Sequence, residues 1–199
     1  MARRGVLLRR NWHTTRTSAV VLLLLATALL AFAGYHEARH QWVQARASAL
    51  VRHASGEPGS VARCQRFTPA LLDLSQNSGF VAYDDLSVAA LERTECNDLA
   101  DWLQSSKNAP SAAQVRAVHV VVHEAMHVAG DLNEATAECA AMQLDADAAV
   151  FLGATPEQAR ALAASYYRDT YPYLRDGYVT GSCGPEQELD RTPGDGRFP

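Results

Sequence analysis

Two imidazoles four residues apart, with a carboxylate directly after the first, form the most chemically pointed stretch of this chain: His123-Glu124-Ala125-Met126-His127. A four-residue step on an α-helix is slightly more than one turn, so both rings project from one face and can share a tetrahedral zinc ion. Glu124 then sits beside them, close enough to polarise a metal-bound water without being a ligand. Zinc brings the pKa of such a water to about 7, and the carboxylate takes its proton as hydroxide attacks a carbonyl. Apolar neighbours, Val120-Val121-Val122 and Val128-Ala129, mark a buried helix. Downstream, Gly130-Asp131-Leu132 allows a sharp reversal, and Asn133-Glu134-Ala135-Thr136-Ala137-Glu138 opens a second helix with Glu134 and Glu138 four residues apart on a shared face.

The chain contains its own control. His36-Glu37-Ala38-Arg39-His40 has the same pattern, but it follows an apolar run, places a charged Arg inside the motif and lacks a convincing third ligand soon after. A solvated juxtamembrane helix is the expected reading there. His119 lies one turn before His123 on the same stripe and is expected to be a non-ligand core or surface histidine, with a cleft-lining role as the alternative. Asp145 and Asp147 are expected to be solvated. Tyr166, Tyr167, Tyr171, Tyr173 and Tyr178 are read as packing aromatics, with an oxyanion-stabilising hydroxyl among them as the alternative.

The residues from His123 to Glu138 resemble the gluzincin metallopeptidases, whose zinc is held by HExxH and a downstream glutamate, often in an NExx(S/A)(D/E) segment. By position, the resemblance implies His123, His127 and Glu134 as ligands of one zinc ion, Glu124 as general base, and Glu138 as an acceptor for a zinc-bound imidazole or an alternative ligand. The linker from His127 to Glu134 is much shorter than in the best-known gluzincins. The resemblance implies a small single-domain member: mainly α with a small β element, hydrolysing peptide bonds of a peptide or protein substrate. The rival reading is a non-catalytic anchored binding or scaffold module in which zinc is structural; a third is a chain without metal.

Several elements must position these groups. Ser111 with Gln114 three residues on, and Thr155-Pro156-Glu157-Gln158, carry capping-box spacings and mark two helix starts. The first helix is expected to run to Gly130, with Val115, Val118, Val122, Ala125 and Ala129 on its core face. A helix from about Asn133 to Gly153 lies between the two, and another covers about Asn97 to Ser105. The pattern reads as helical from about Ser87 onward. Gly79-Phe80-Val81-Ala82-Tyr83-Asp84 is the strand candidate.

The 199 residues fit one compact domain with short extensions, and a net charge of -4 gives no reason to expect nucleic acid. Residues 1–17 form a basic leader, with Arg3, Arg4, Arg9, Arg10 and Arg16 marking a cytoplasmic N-terminus. The uncharged run over residues 17–35 reaches about 28 Å as a helix, enough to cross a bilayer. It is read as a signal anchor, with a signal peptide cleaved near Ala33 as the alternative; Trp12, Tyr35 and Trp42 are interfacial candidates. Either reading puts the remainder outside the cytoplasm, as a single-pass membrane protein or a secreted one. Residues 36–62 are expected to form an exposed stalk and linker, residues 63–183 the metallopeptidase-like domain, and residues 184–199 a loose tail. Cys64, Cys96, Cys139 and Cys183 all follow the apolar run, so two disulfides are expected. Three pairings are open; Cys64 with Cys96 and Cys139 with Cys183 would staple the two halves separately.

Overall fold

The computed structural model describes residues 4–66, 79–82, 85–194 and 198–199. Two compact units emerge, residues 1–41 and residues 42–199. The chain is mainly helical with a small sheet. Helix α1 spans Arg4–Ser55, and among the described residues it is the one helix long and apolar enough to cross a membrane, a property a signal sequence shares. Its apolar residues, among them Leu22, Leu25, Leu29 and Phe32, are exposed.

The second unit continues with β1 Val61–Cys64, β2 Gly79–Ala82, β3 Asp85–Leu91, α2 Arg93–Gln104, α3 Ala112–Val128, α4 Glu134–Phe151 and α5 Pro156–Asp169, followed by a 3-10 turn at Tyr171–Tyr173. The sheet order is β1-β3-β2. β1 runs parallel to β3, with Val61 opposite Val88 and Cys64 opposite Leu91. β2 runs antiparallel to β3, with Gly79 opposite Leu91. The strand expected at Gly79 is therefore present over Gly79–Ala82, and Tyr83 and Asp84 lie outside the described residues. The helical reading from Ser87 is corrected: Asp85–Leu91 is the central strand. Ala89 and Leu91 point into the core and alternate with less buried neighbours, and pairing on both sides overrides the helix propensity of Ala and Leu.

The exposed stalk is also corrected. Val43, Ala47, Leu50 and Val51 are buried in the core of the second unit, on the one-face spacing of an amphipathic helix. Ser48 Oγ accepts from Ala62 N at 3.0 Å, and Gln44 Oε1 accepts from Cys64 N at 3.2 Å, so the end of α1 is hydrogen-bonded to β1. The described part of the tail makes contacts with the domain. Gln143 donates to Leu189 O at 2.9 Å and accepts from Arg191 N at 2.7 Å, and Leu189 and Phe198 pack against the core.

α3 and α4 begin and end where local chemistry dictates. Ser111 and Gln114 complete a reciprocal capping box at the start of α3. At its end, Gly130 N donates to His127 O and Asp131 N to Met126 O, the paired bonds of a Schellman turn, with Gly130 at φ 97°. Asn133 Oδ1 then caps α4 by accepting from Thr136 N at 3.1 Å, while Thr136 Oγ1 donates to Asp131 Oδ1 at 2.5 Å. The reversal between the two helices is thus fixed by five residues, 129–133. A Cβ on Gly130 would meet open space, so its cost is backbone strain alone. Gly130→Ala is expected to lower stability by about 1–2 kcal/mol in a denaturant titration; an unchanged midpoint would show that the turn relaxes freely.

Both disulfides form: Cys64 with Cys96, tying β1 to α2, and Cys139 with Cys183, tying α4 to the segment after the 3-10 turn. They suit a domain in an oxidising, extracytoplasmic compartment.

Candidate metal centre

The short turn folds α4 back along α3, so the rows of polar side chains on the two helices face each other. α3 offers His119, His123 and His127, each one turn from the next, and α4 offers Glu134, Glu138 and Asp145. The contacts form a ladder. Glu134 Oε2 lies 3.1 Å from His123 Nε2 and 3.3 Å from His127 Nε2. Glu138 Oε2 lies 2.9 Å from His123 Nδ1 and 3.1 Å from His119 Nε2. Asp145 Oδ2 lies 2.9 Å from His119 Nδ1. His123, His127 and Glu134 each offer one donor atom, all within 4.8 Å of one another, and this group of two buried histidines and a partly exposed carboxylate could hold a metal ion. A second group within the same limit is His119, His123 and Glu138. Among the described residues, groups of three occur only in this ladder, and the His36–His40 pattern forms none.

The remaining ring nitrogens are held so as to leave Nε2 for the shared space. His127 Nδ1 donates to the Asp131 carbonyl at 2.6 Å, a bond available because the Schellman turn presents that carbonyl. His123 Nδ1 is within ion-pair distance of Glu138, although outside linear hydrogen-bond geometry. Both arrangements favour a proton on Nδ1 and a lone pair on Nε2.

Charge is unusually concentrated here. Burial works against protonation of His123, but the hydrogen bond to Glu134 and the nearby Glu138 carboxylate outweigh it and raise the ring to about 9. The His123 hydrogen bond holds Glu134 down at about 2. Burial works against ionisation of Glu138, yet the His119 and His123 rings keep its carboxyl well below the usual carboxylate range. Glu124 behaves oppositely: burial pushes it up to about 7. Its Oε2 is buried without a protein hydrogen-bond partner. A carboxyl that is nearly enclosed, poised near neutrality and unpaired on one oxygen suits proton transfer.

The chain matches no family model, no curated protein and no solved structure. Its chemistry therefore rests on the residues themselves.

The structure brings His123, His127, Glu134 and Glu138 together, and Glu124 is near enough to feel the charges of His123 and Glu134. Asp147 is at the surface, where it contacts His53 at 2.6 Å. Asp145 is corrected: it is fully buried on His119, and Oδ1 has no protein partner. The signal for it was its seven-residue step from Glu138, which puts both acids on one face of α4. His119 is buried and bonded to two carboxylates. Among the tyrosines, Tyr166 is buried and donates to Glu138 Oε1 at 2.7 Å. Tyr178 stacks on His123 with ring centroids 5.7 Å apart, interacts with Glu134, and accepts from Arg175 Nη2 at 3.0 Å. Sequence spacing had no means to single out Tyr178, because it arrives from a loop about fifty residues beyond the histidines.

Proposed function

We propose that the chain is a membrane-anchored or secreted zinc-dependent metallopeptidase of the zincin type, hydrolysing peptide bonds. The observation that carries this reading is the convergence of His123 Nε2, His127 Nε2 and Glu134 Oε2 beside the unpaired carboxyl of Glu124. Two imidazoles and a carboxylate are a donor set of catalytic zinc sites, which keep one position open. Zinc–ligand bonds of about 2.0–2.1 Å imply a tetrahedral edge of about 3.3 Å. The two distances from Glu134 to the imidazoles, 3.1 and 3.3 Å, already approximate it.

Zinc bound there supplies Lewis acidity, which acidifies water and polarises a carbonyl. The chain's own residues do the rest. Glu124 accepts the proton of the attacking water and returns it to the leaving amine; its carboxyl, near neutrality, suits both directions. Tyr178, over His123, supplies a hydroxyl for the developing oxyanion, and Arg175 orients it. β2 is at one edge of the sheet, and α3 packs beside it. An extended substrate added to that edge would run past the active-site helix. The three-donor set argues against a purely structural zinc, which closes its fourth position with protein.

Zinc uptake itself has a signature. In the metal-free chain His123 is raised to about 9, so at pH 7 it carries a proton that competes for Nε2. Binding should therefore release protons, and affinity should tighten by about tenfold per pH unit between 7 and 9. Calorimetry in buffers of different ionisation enthalpy measures this; uptake independent of pH would contradict it. The function is tested by cleavage of a peptide library with the full chain in detergent. Hydrolysis should be abolished by a chelator and restored by zinc, whereas zinc binding without any cleavage would leave a structural metal.

A further inference from the structure

Resting on that metal-site reading, we propose that His119 and Asp145 are positioning residues, the outer half of a relay Asp145–His119–Glu138–His123 that sets the orientation and donor strength of a metal ligand.

The geometry is continuous. Asp145 Oδ2 holds His119 Nδ1 at 2.9 Å, His119 Nε2 holds Glu138 Oε2 at 3.1 Å, and that same oxygen approaches His123 Nδ1 at 2.9 Å. Tyr166 fixes the other Glu138 oxygen at 2.7 Å and stacks on the His119 ring with centroids 3.6 Å apart. His119, Glu138 and Asp145 are each at most 2 % exposed, so water does not substitute for a missing partner. Glu138 Oε2 is therefore the pivot. It meets His123 off the line of a good hydrogen bond, and a small rotation of the carboxylate decides whether that contact orients the ligand. His119 opposes such a rotation at this oxygen, as Tyr166 does at the other, and Asp145 locks His119.

Charge leads to the same assignment. Glu134, Glu138 and Asp145 bring three carboxylates to the row of α4 that meets the α3 histidines, and a divalent ion balances two negative charges. The third is balanced within the Asp145–His119 pair, which is neutral wherever its proton sits. Removing His119 or the Asp145 charge changes the field at His123 without touching a ligand. A competing assignment of this cluster is a second ion held by His119, His123 and Glu138, which requires two ions per chain.

The test uses the full chain in detergent with two variants. His119→Phe keeps a ring to stack on Tyr166 and removes both nitrogens. Asp145→Asn keeps the volume and removes the charge, and it carries the test alone should the first variant not fold. Zinc affinity is read by chelator competition, and ligand geometry by the visible absorption of the cobalt-substituted protein, which packing alone does not move. Affinity should fall about 10- to 100-fold in each variant, with a shifted cobalt spectrum and one ion per wild-type chain. Folded Asp145→Asn with wild-type affinity and spectrum overturns the relay while leaving the metal site standing. Two ions per wild-type chain, one of them lost in His119→Phe, overturns it in favour of a second site. Wild-type protein that takes up no ion sinks the metal reading and the relay together.

Discussion

Glu124→Gln should bind zinc as the wild type does while peptide hydrolysis falls by at least about 10²- to 10⁴-fold, the usual contribution of a general base. The side chains are nearly the same size, and Glu124 Oε2 has no protein partner to lose. The fold and the three donor atoms are therefore untouched; only the capacity to take a proton disappears. The substitution has a second readout in the metal-free protein. Because burial raises the folded-state pKa of Glu124 from 4.5 to about 7, folding favours its neutral form. The sign follows: ionised Glu124 costs stability that grows as pH rises from about 4.5 to 7 and then levels off. Metal-free Glu124→Gln should lack that component of the decline in thermal melts across this window. Elemental analysis, a fluorogenic peptide assay and the melts together check the expectation. Hydrolysis surviving in a zinc-loaded Glu124→Gln protein would remove Glu124 from the mechanism.

Loss of the Cys139–Cys183 bridge should cost more activity than loss of Cys64–Cys96, although the two crosslinks stabilise the fold by similar amounts. Sequence separations of 44 and 32 residues correspond to about 4 kcal/mol each in the chain-entropy description. Their positions differ. Cys139 directly follows Glu138 on α4, and Cys183 closes the segment that carries Arg175 and Tyr178. Cutting this bridge frees the loop that places Tyr178 on His123, whereas cutting the other loosens β1 from α2. In paired serine variants measured where both remain folded, kcat is expected to fall markedly for Cys139→Ser/Cys183→Ser and little for Cys64→Ser/Cys96→Ser. Equal losses would show that the loop is held by its other contacts.

Much of the site was legible because its determinants are local. The HExxH spacing, the Ser111 and Thr155 capping boxes, Gly130 at the helix end and Asn133 before α4 each act within about one turn, and all appear as their chemistry dictates. What was not legible depends on distant partners. Val61–Cys64 and Asp85–Leu91 become strands only because they pair with each other, and Asp85–Leu91 with Gly79–Ala82 as well. The apolar face at Val43, Ala47, Leu50 and Val51 was hidden among Arg, Gln and His, and it is buried where the end of α1 meets distant parts of the chain, with Ser48 and Gln44 bonded to β1 and His53 stacked on Phe151 of α4. Asp145 looked like one more surface acid, since nothing nearby in the chain announces that His119, 26 residues earlier, will receive it.

Metal content tests the central claim most directly. The full chain, purified without added metal, stripped and then reloaded with zinc, should hold one ion per molecule through two nitrogens and one oxygen of protein, seen by elemental analysis and X-ray absorption. His127→Ala should lose tight binding, because two of the three donors cannot retain the ion. A wild-type chain that holds no zinc after reloading, or a His127→Ala chain that holds it equally well, would contradict the assignment of His123, His127 and Glu134 to one metal centre.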